Sequence, residues 1–244
     1  DNEFNGDVAE QFQRGSNWTF TNTAEYKHTF KGKHFMTLLA GQESIMHNSD
    51  GFSASGKGIE DSRLTQLSAV SSATAKVNGA RSEYVFNSFF FRGEYNYDEK
   101  YYLDASYRRD GSSRLSPKDR WANFWSVSGA WRLSKEGFLE DMPLFTDFKL
   151  KASFGTNGNL PTDYYGYKDL YAGSGYNGAP SIYWYQLPND ELTWERSKNL
   201  NVGLEWNMFG RVTLGMEYYL KKTTDLLFQV PNSYVTGFKN RWDN

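Results

Sequence analysis

Residues 82–136 read SEYVFNSFFFRGEYNYDEKYYLDASYRRDGSSRLSPKDRWANFWSVSGAWRLSKE, and this stretch decides the fold. Three aromatic-rich segments alternate apolar with polar residues, and a turn separates each from the next. In the middle segment Tyr101, Leu103, Ala105 and Tyr107 fall on one face, with Tyr102, Asp104, Ser106, Arg108 and Asp110 on the other. A side-chain period of two is that of an extended strand, and about ten residues is the length a tilted strand needs to cross a bilayer. Energy decides the phase. Turning the second face to lipid would put Asp104 and Arg108 into hydrocarbon, where an Arg at the midplane costs roughly 2–4 kcal/mol. The Tyr and Leu face therefore looks outward, as in a transmembrane β-barrel.

Composition agrees. Hydrophobic residues make up 39% and mean hydropathy is -0.72, and no run reaches the ~18 apolar residues of a helical span. A barrel is half polar by construction, since every second residue faces the lumen. The 18% of aromatic residues, among them 17 Tyr, 18 Phe and 8 Trp, matches aromatic girdles at both membrane interfaces. An aromatic-rich, glycan-binding β-sandwich is the soluble alternative, but consecutive hairpins of this kind would expose too much aromatic surface to water. The absence of cysteine removes disulfides, Cys-ligated metals and thiol catalysis. A net charge of -2 gives no reason to expect nucleic acid.

Working outward, residues 1–14 read as the end of a surface loop, followed by strands near 17–30 and 34–42 around the turn Lys31-Gly32-Lys33. Residues 43–81 are rich in Ser, Gly, Ala and Asn and read as a long loop. Further strands are expected at 148–155, 200–208 and from 212 to about 221, with loops at 156–196 and 223–244. Asn157-Gly158-Asn159 reads as a turn. Short links follow the first, third and seventh strands and long ones the second, fourth, sixth and eighth, the rule for periplasmic turns and extracellular loops. The longer connection at 134–147 is the exception, and Glu136, Phe138 and Leu139 are expected to pin it to the barrel end.

Several segments together resemble the SusC/RagA-like family of TonB-dependent outer-membrane transporters of Bacteroidetes. They are Arg109-Asp110-Gly111-Ser112-Ser113-Arg114, Trp131 to Leu139, Leu150 to Asn159, Leu192-Thr193-Trp194-Glu195, Asn201 to Glu205, Tyr218-Tyr219 and Thr224-Asp225-Leu226-Leu227. The resemblance covers residues 82–237 well and 1–81 loosely. It implies that residues 1–244 are part of one outer-membrane β-barrel domain, about eight strands of a plugged barrel of roughly 22. Its plug and TonB box are not found in this stretch. It also implies import of oligosaccharides or peptides through the outer membrane, together with a SusD-like surface lipoprotein and with TonB acting through the N-terminal part. No cofactor is implied. The reading of different class is a self-contained eight-stranded outer-membrane barrel with a structural or adhesive role.

Candidate site residues follow. Arg92, Glu94, Asp104, Arg108, Arg132, Glu205 and Glu217 are expected to face the lumen, lining a path or holding a plug. Arg108, Asp110 and Arg114 read more readily as structural partners than as substrate contacts. Trp125, Trp131 and Trp206 read as girdle residues. The loop from Tyr164 to Tyr185 is the substrate candidate, through Tyr164, Tyr165, Tyr167, Tyr183, Trp184 and Tyr185, because amphipathic aromatics among Gly, Ser and Asn suit adaptable recognition. Gly173 to Gly178 matches GxGxxG formally, but Ala179-Pro180 cannot open the helix a dinucleotide site needs. His28, His34 and His47 lack metal-ligand spacing. The adjacent carboxylates Asp98-Glu99, Glu140-Asp141 and Asp190-Glu191 point apart, so no glycosidase pair and no enzyme is expected.

Overall fold

A computed structural model describes residues 6–139, 142–177 and 179–244. The protein is all-β. Its strands are β1 (Asp7–Phe30), β2 (His34–Lys57), β3 (Lys76–Tyr97), β4 (Tyr101–Ser112), β5 (Trp121–Arg132), β6 (Asp147–Asn159), β7 (Leu170–Tyr176), β8 (Ala179–Gln186), β9 (Glu195–Met208), β10 (Val212–Thr224), β11 (Phe228–Pro231) and β12 (Asn240–Asp243). The main sheet has eight strands in the order β1-β2-β3-β4-β5-β6-β9-β10, while β7-β8 and β11-β12 are separate two-stranded hairpins. The chain divides into two compact units, Asp1–Thr19 with Ile45–Val85, and Phe20–Ser44 with Phe86–Asn244.

All eight membrane strands expected from the sequence are present, but their ends move. β1 and β2 are each 24 residues long, more than twice the ~9–11 needed to span a bilayer. Residues 7–14, 43–57 and 76–81 are therefore strand, not loop, and the true connection after β2 is 58–75. Likewise Asn157-Gly158-Asn159 continues β6 and is not a turn, and β9 begins at Glu195. The loops at 156–196 and 223–244 carry the two hairpins. The common cause is physical. Beyond the hydrocarbon both faces of a strand meet water, so apolar alternation disappears while backbone pairing continues.

In the larger unit the register runs unshifted across β3 to β10 and sorts the side chains into rows. One outward row is Tyr97, Tyr101, Trp131, Leu150, Leu204 and Met216, and another is Gly93, Ala105, Val127, Phe154, Leu200 and Leu220. Along β4 the outward members are exposed and the inward ones half-buried, as a curved sheet requires when side chains converge on its concave side. Tyr101 stacks on Trp131 (6.1 Å) at the short-turn end, and Phe89 stacks on Trp121 (6.4 Å) at the other. Trp121 stands ten residues before Trp131. At ~3.3 Å per residue that is ~33 Å of strand, or ~25 Å along the membrane normal at a tilt near ~40°, the height of a barrel's apolar band. Trp131 and Trp206 lie on the outward face toward the short-turn end, where their Nε1 atoms donate to Glu136 Oε1 (3.1 Å) and to the Leu144 carbonyl (2.9 Å). Trp125, expected beside them, stands instead between the two ends, opposite Tyr107.

Of the three residues expected to pin the connection after β5, Glu136 does so, whereas Phe138 is 63% exposed and does not. Tyr101 Oη donates to Glu136 Oε1 (2.6 Å), and Lys100 Nζ lies 3.6 Å from Oε2. The Tyr101 hydroxyl first, and the Trp131 indole N–H second, hold the Glu136 carboxyl below the usual carboxylate range. A carboxyl lowered on folding contributes stability above its unfolded pKa and loses it as pH falls through the folded value. Protection of amides 133–139, measured relative to their intrinsic exchange rate at each pH, is therefore expected to be full at pH 7 and to fall below about pH 4. The variant Glu136→Gln should lack that protection at both pH values; equal protection in both proteins would remove Glu136 as the clasp.

Candidate functional site

By register Arg92, Glu94, Asp104, Arg108, Arg132, Glu205 and Glu217 share one face of the sheet, opposite the apolar rows. Arg92 Nε donates to Asp104 Oδ2 (2.6 Å) and Arg92 Nη2 reaches Glu94 (2.9 Å). Lys151 Nζ donates to Glu205 Oε1 (2.9 Å), with Lys149 at 3.9 Å from the other oxygen. Arg132 grips Asp147 through two nitrogens (2.8 and 3.2 Å), and Ser134 Oγ adds a bond to the same carboxylate (3.1 Å). Arg92, Glu94, Asp104, Lys151 and Glu217 share an open concavity of about 520 Å³. Arg108 lies on the same face between the rings of Phe86 and Phe90, donating to Asp110 (2.6 Å), Ser88 (2.8 Å) and Glu43 (3.1 Å). This is the structural pairing the sequence favoured. Polar ladders of this kind suit a wet lumen or a polar plug, since the paired charges among them tolerate partial dehydration.

A second feature was only partly legible. Leu115, Ala122, Phe124, Leu192 and Trp194 form a small buried core at the long-loop end, with Leu160, Tyr167, Leu227 and Trp242 packed on it. Trp194 meets Phe124 edge to face (5.5 Å, 68°) and its Nε1 donates to the Arg120 carbonyl (3.1 Å). Glycine is required at 158, because a Cβ there would lie 2.2 Å from the Phe124 ring. Ser116 Oγ donates to the Asp190 carbonyl (3.0 Å), and Asn189 Nδ2 to that of Trp242 (2.8 Å). The short motifs around 110–115, 157–160, 192–195 and 224–227, separate in sequence, thus meet in one place. Their shared function is to fix the roots of the loops. The signal available in the sequence was an isolated Leu or Trp inside each polar loop.

Above this core the two hairpins flank a groove of about 680 Å³. Tyr164, Tyr165, Tyr183, Trp184 and Tyr185 line it from one side and Phe238 and Lys239 from the other. Trp184 stacks on Tyr171 (6.2 Å, 12°) and meets Phe238 edge-on (5.6 Å), while Arg114 sits 4.5 Å above the Tyr164 ring. Five of the six aromatic residues singled out from the sequence are brought together. Tyr167 is the sixth and packs against the loop core instead. Gly173 to Tyr176 belong to β7, so that stretch opens no helix; Gly178, like Glu140 and Asp141, lies outside the described residues. Among the described residues no group of His, Cys, Asp and Glu is placed to hold a metal ion.

Comparison with known proteins assigns this architecture. Residues 1–244 match the family model described as TonB dependent receptor-like, beta-barrel. TonB-dependent receptor P26 of Formosa agariphila is 33% identical over 93% of the chain, and TonB-dependent receptor SusC of Bacteroides thetaiotaomicron 28% over 96%. In each case the chain spans 24% of the relative's length. The solved RagAB peptide transporter superposes with a TM-score of 0.89 at 33% identity, over 96% of this chain and 26% of that one. The polar inward ladder, the apolar outward rows and the paired girdles are thus those of an outer-membrane protein, and the chain belongs to the TonB-dependent receptor β-barrel family.

Proposed function

We propose that residues 1–244 are one sector of the barrel wall of a TonB-dependent nutrient importer, acting in transport and not in catalysis. It takes up oligosaccharides or peptides. A SusD-like surface lipoprotein cooperates with it, and TonB pulls through a part of the protein outside this stretch. The observation that carries the reading is the aromatic groove between the hairpins, set on a rigid core at the mouth of a polar inward face. In this reading the groove aromatics contact the nutrient while Arg92, Glu94, Asp104, Arg108, Arg132, Glu205 and Glu217 line the path or hold the plug. Likeness to SusC and to the RagAB peptide transporter supports it. A self-contained eight-stranded barrel fits less well, because every relative named above is about four times longer than the stretch it shares with this chain.

The test is growth and uptake. Deleting the gene is expected to abolish growth on at least one glycan or peptide source, and unchanged growth on every source would refute transport. In the full-length receptor, Tyr183→Ala combined with Tyr185→Ala should lower uptake of that nutrient roughly tenfold, as two aromatic contacts are lost. Surface abundance should stay the same. Full uptake by the variant would remove the groove from the path.

A further inference from the structure

The outward face of the larger unit is apolar except at one end, and there its charges have one sign. Following the outward alternation along β3 to β10 from Asn87, the charged residues met are Arg109 on β4, Arg196 and Lys198 on β9, and Lys222 on β10. From Asn87 onward no carboxylate occupies an outward position on these strands, Glu83 lying earlier on β3 in the smaller unit; Glu94, Asp104, Asp110, Asp147, Glu205 and Glu217 all fall on the opposite face. This segregation is not forced by composition, since acidic residues outnumber basic ones, 29 to 27.

Position makes the pattern meaningful. All four cations lie toward the end of their strands away from the short turns. Arg109 holds its guanidinium 5.5 Å over the Trp121 ring, beside Phe89. Lys198 and Lys222 are direct cross-strand partners, one register step beyond the apolar pair Leu200 and Leu220. Like charges placed opposite each other destabilise a sheet, so this pairing costs stability unless an anion sits between them. Among the described residues, no carboxylate forms an ion pair with Lys198, Lys222 or Arg196. Each is exposed. In an outer membrane the matter facing these side chains is the headgroup layer of the outer leaflet.

We propose that this belt binds the phosphate of an outer-leaflet saccharolipid, with Lys198 and Lys222 clamping the phosphate. Arg109 on Trp121 is a second contact to the same headgroup layer. Acyl chains then lie along the apolar rows beneath, so one lipid satisfies both chemistries. A basic cluster at the edge of a membrane-spanning surface is the usual form of such recognition.

The experiment is native mass spectrometry of the full-length receptor in mild detergent, titrated with lipid A and with the same lipid A after enzymatic removal of its phosphate. The wild-type protein is expected to retain the phosphorylated lipid tenfold or more over the dephosphorylated one. In Lys198→Gln/Lys222→Gln that preference should disappear, and in Lys198→Arg/Lys222→Arg it should persist. Inorganic phosphate at equal concentration should not displace the lipid; displacement would mean a free-anion site and overturn the proposal. Equal retention of both lipids by the wild type, which needs no variant to fold, would also overturn it. So would an unchanged preference in the Gln variant.

Discussion

Replacing Trp194 by alanine is expected to cost about 3–5 kcal/mol of local stability, the range for truncating a fully buried large aromatic side chain. Trp194 is only 3% exposed, and the loss would open a cavity against Phe124 and leave the Arg120 carbonyl without its donor. The effect should be confined. Loops 113–120 and 160–194 and the hairpin β11-β12 meet at this core, so they should become protease-sensitive together while the membrane strands keep their protection. Trp194→Phe separates the two contributions: packing is largely kept and the unpaired carbonyl alone should cost about 1–3 kcal/mol. Limited proteolysis with fragment mapping reads both variants, and a wild-type cleavage pattern in Trp194→Ala would contradict the assignment of this core.

The second large effect concerns the faces. Val127 is half exposed on the outward row between Ala105 and Phe154. Val127→Arg should lower the stability of the receptor in bilayers by about 2–4 kcal/mol, the cost of an Arg near the midplane of a barrel's lipid face. The neighbouring Ser128 points inward between Asp104 and Ser153. Ser128→Arg introduces the same charge where water and a carboxylate meet it, and should change stability by less than about 1 kcal/mol. Denaturant titration of the refolded full-length protein measures the difference. Equal effects at the two positions would mean that the faces are wrongly assigned.

Legibility in the sequence followed the membrane. Between the girdles, residues such as Tyr101, Leu103, Ala105 and Tyr107 alternate because lipid and lumen impose opposite demands on successive side chains, so β4, β5, β9 and β10 could be placed within a few residues. Past the girdles that contrast disappears. The outer half of β2 and the start of β3 carry Ser, Gly and Asn on both faces, and residues 7–14 of β1 are mostly polar on both faces, so all three read as loop although they are strand. The site divides in the same way. The inward charges followed from the alternation. The groove aromatics were found by composition alone, and composition could not tell Tyr167, which packs inward, from Tyr183, which does not. The core around Trp194 depends on four segments meeting in space, which no local pattern encodes.

The most direct test of the central claim is a nitroxide scan of the full-length receptor in lipid bilayers, with single labels at residues 101–108 and 125–131. Accessibility to oxygen, which concentrates in lipid, should peak at 103, 105, 127 and 129. The water-soluble nickel complex should gain access at 104, 106, 126 and 128 wherever the lumen is wet. An oxygen profile with a period of two in that phase is the predicted result. A profile with no alternation, or one with its maxima at 104 and 128, would contradict the assignment of this chain as barrel wall.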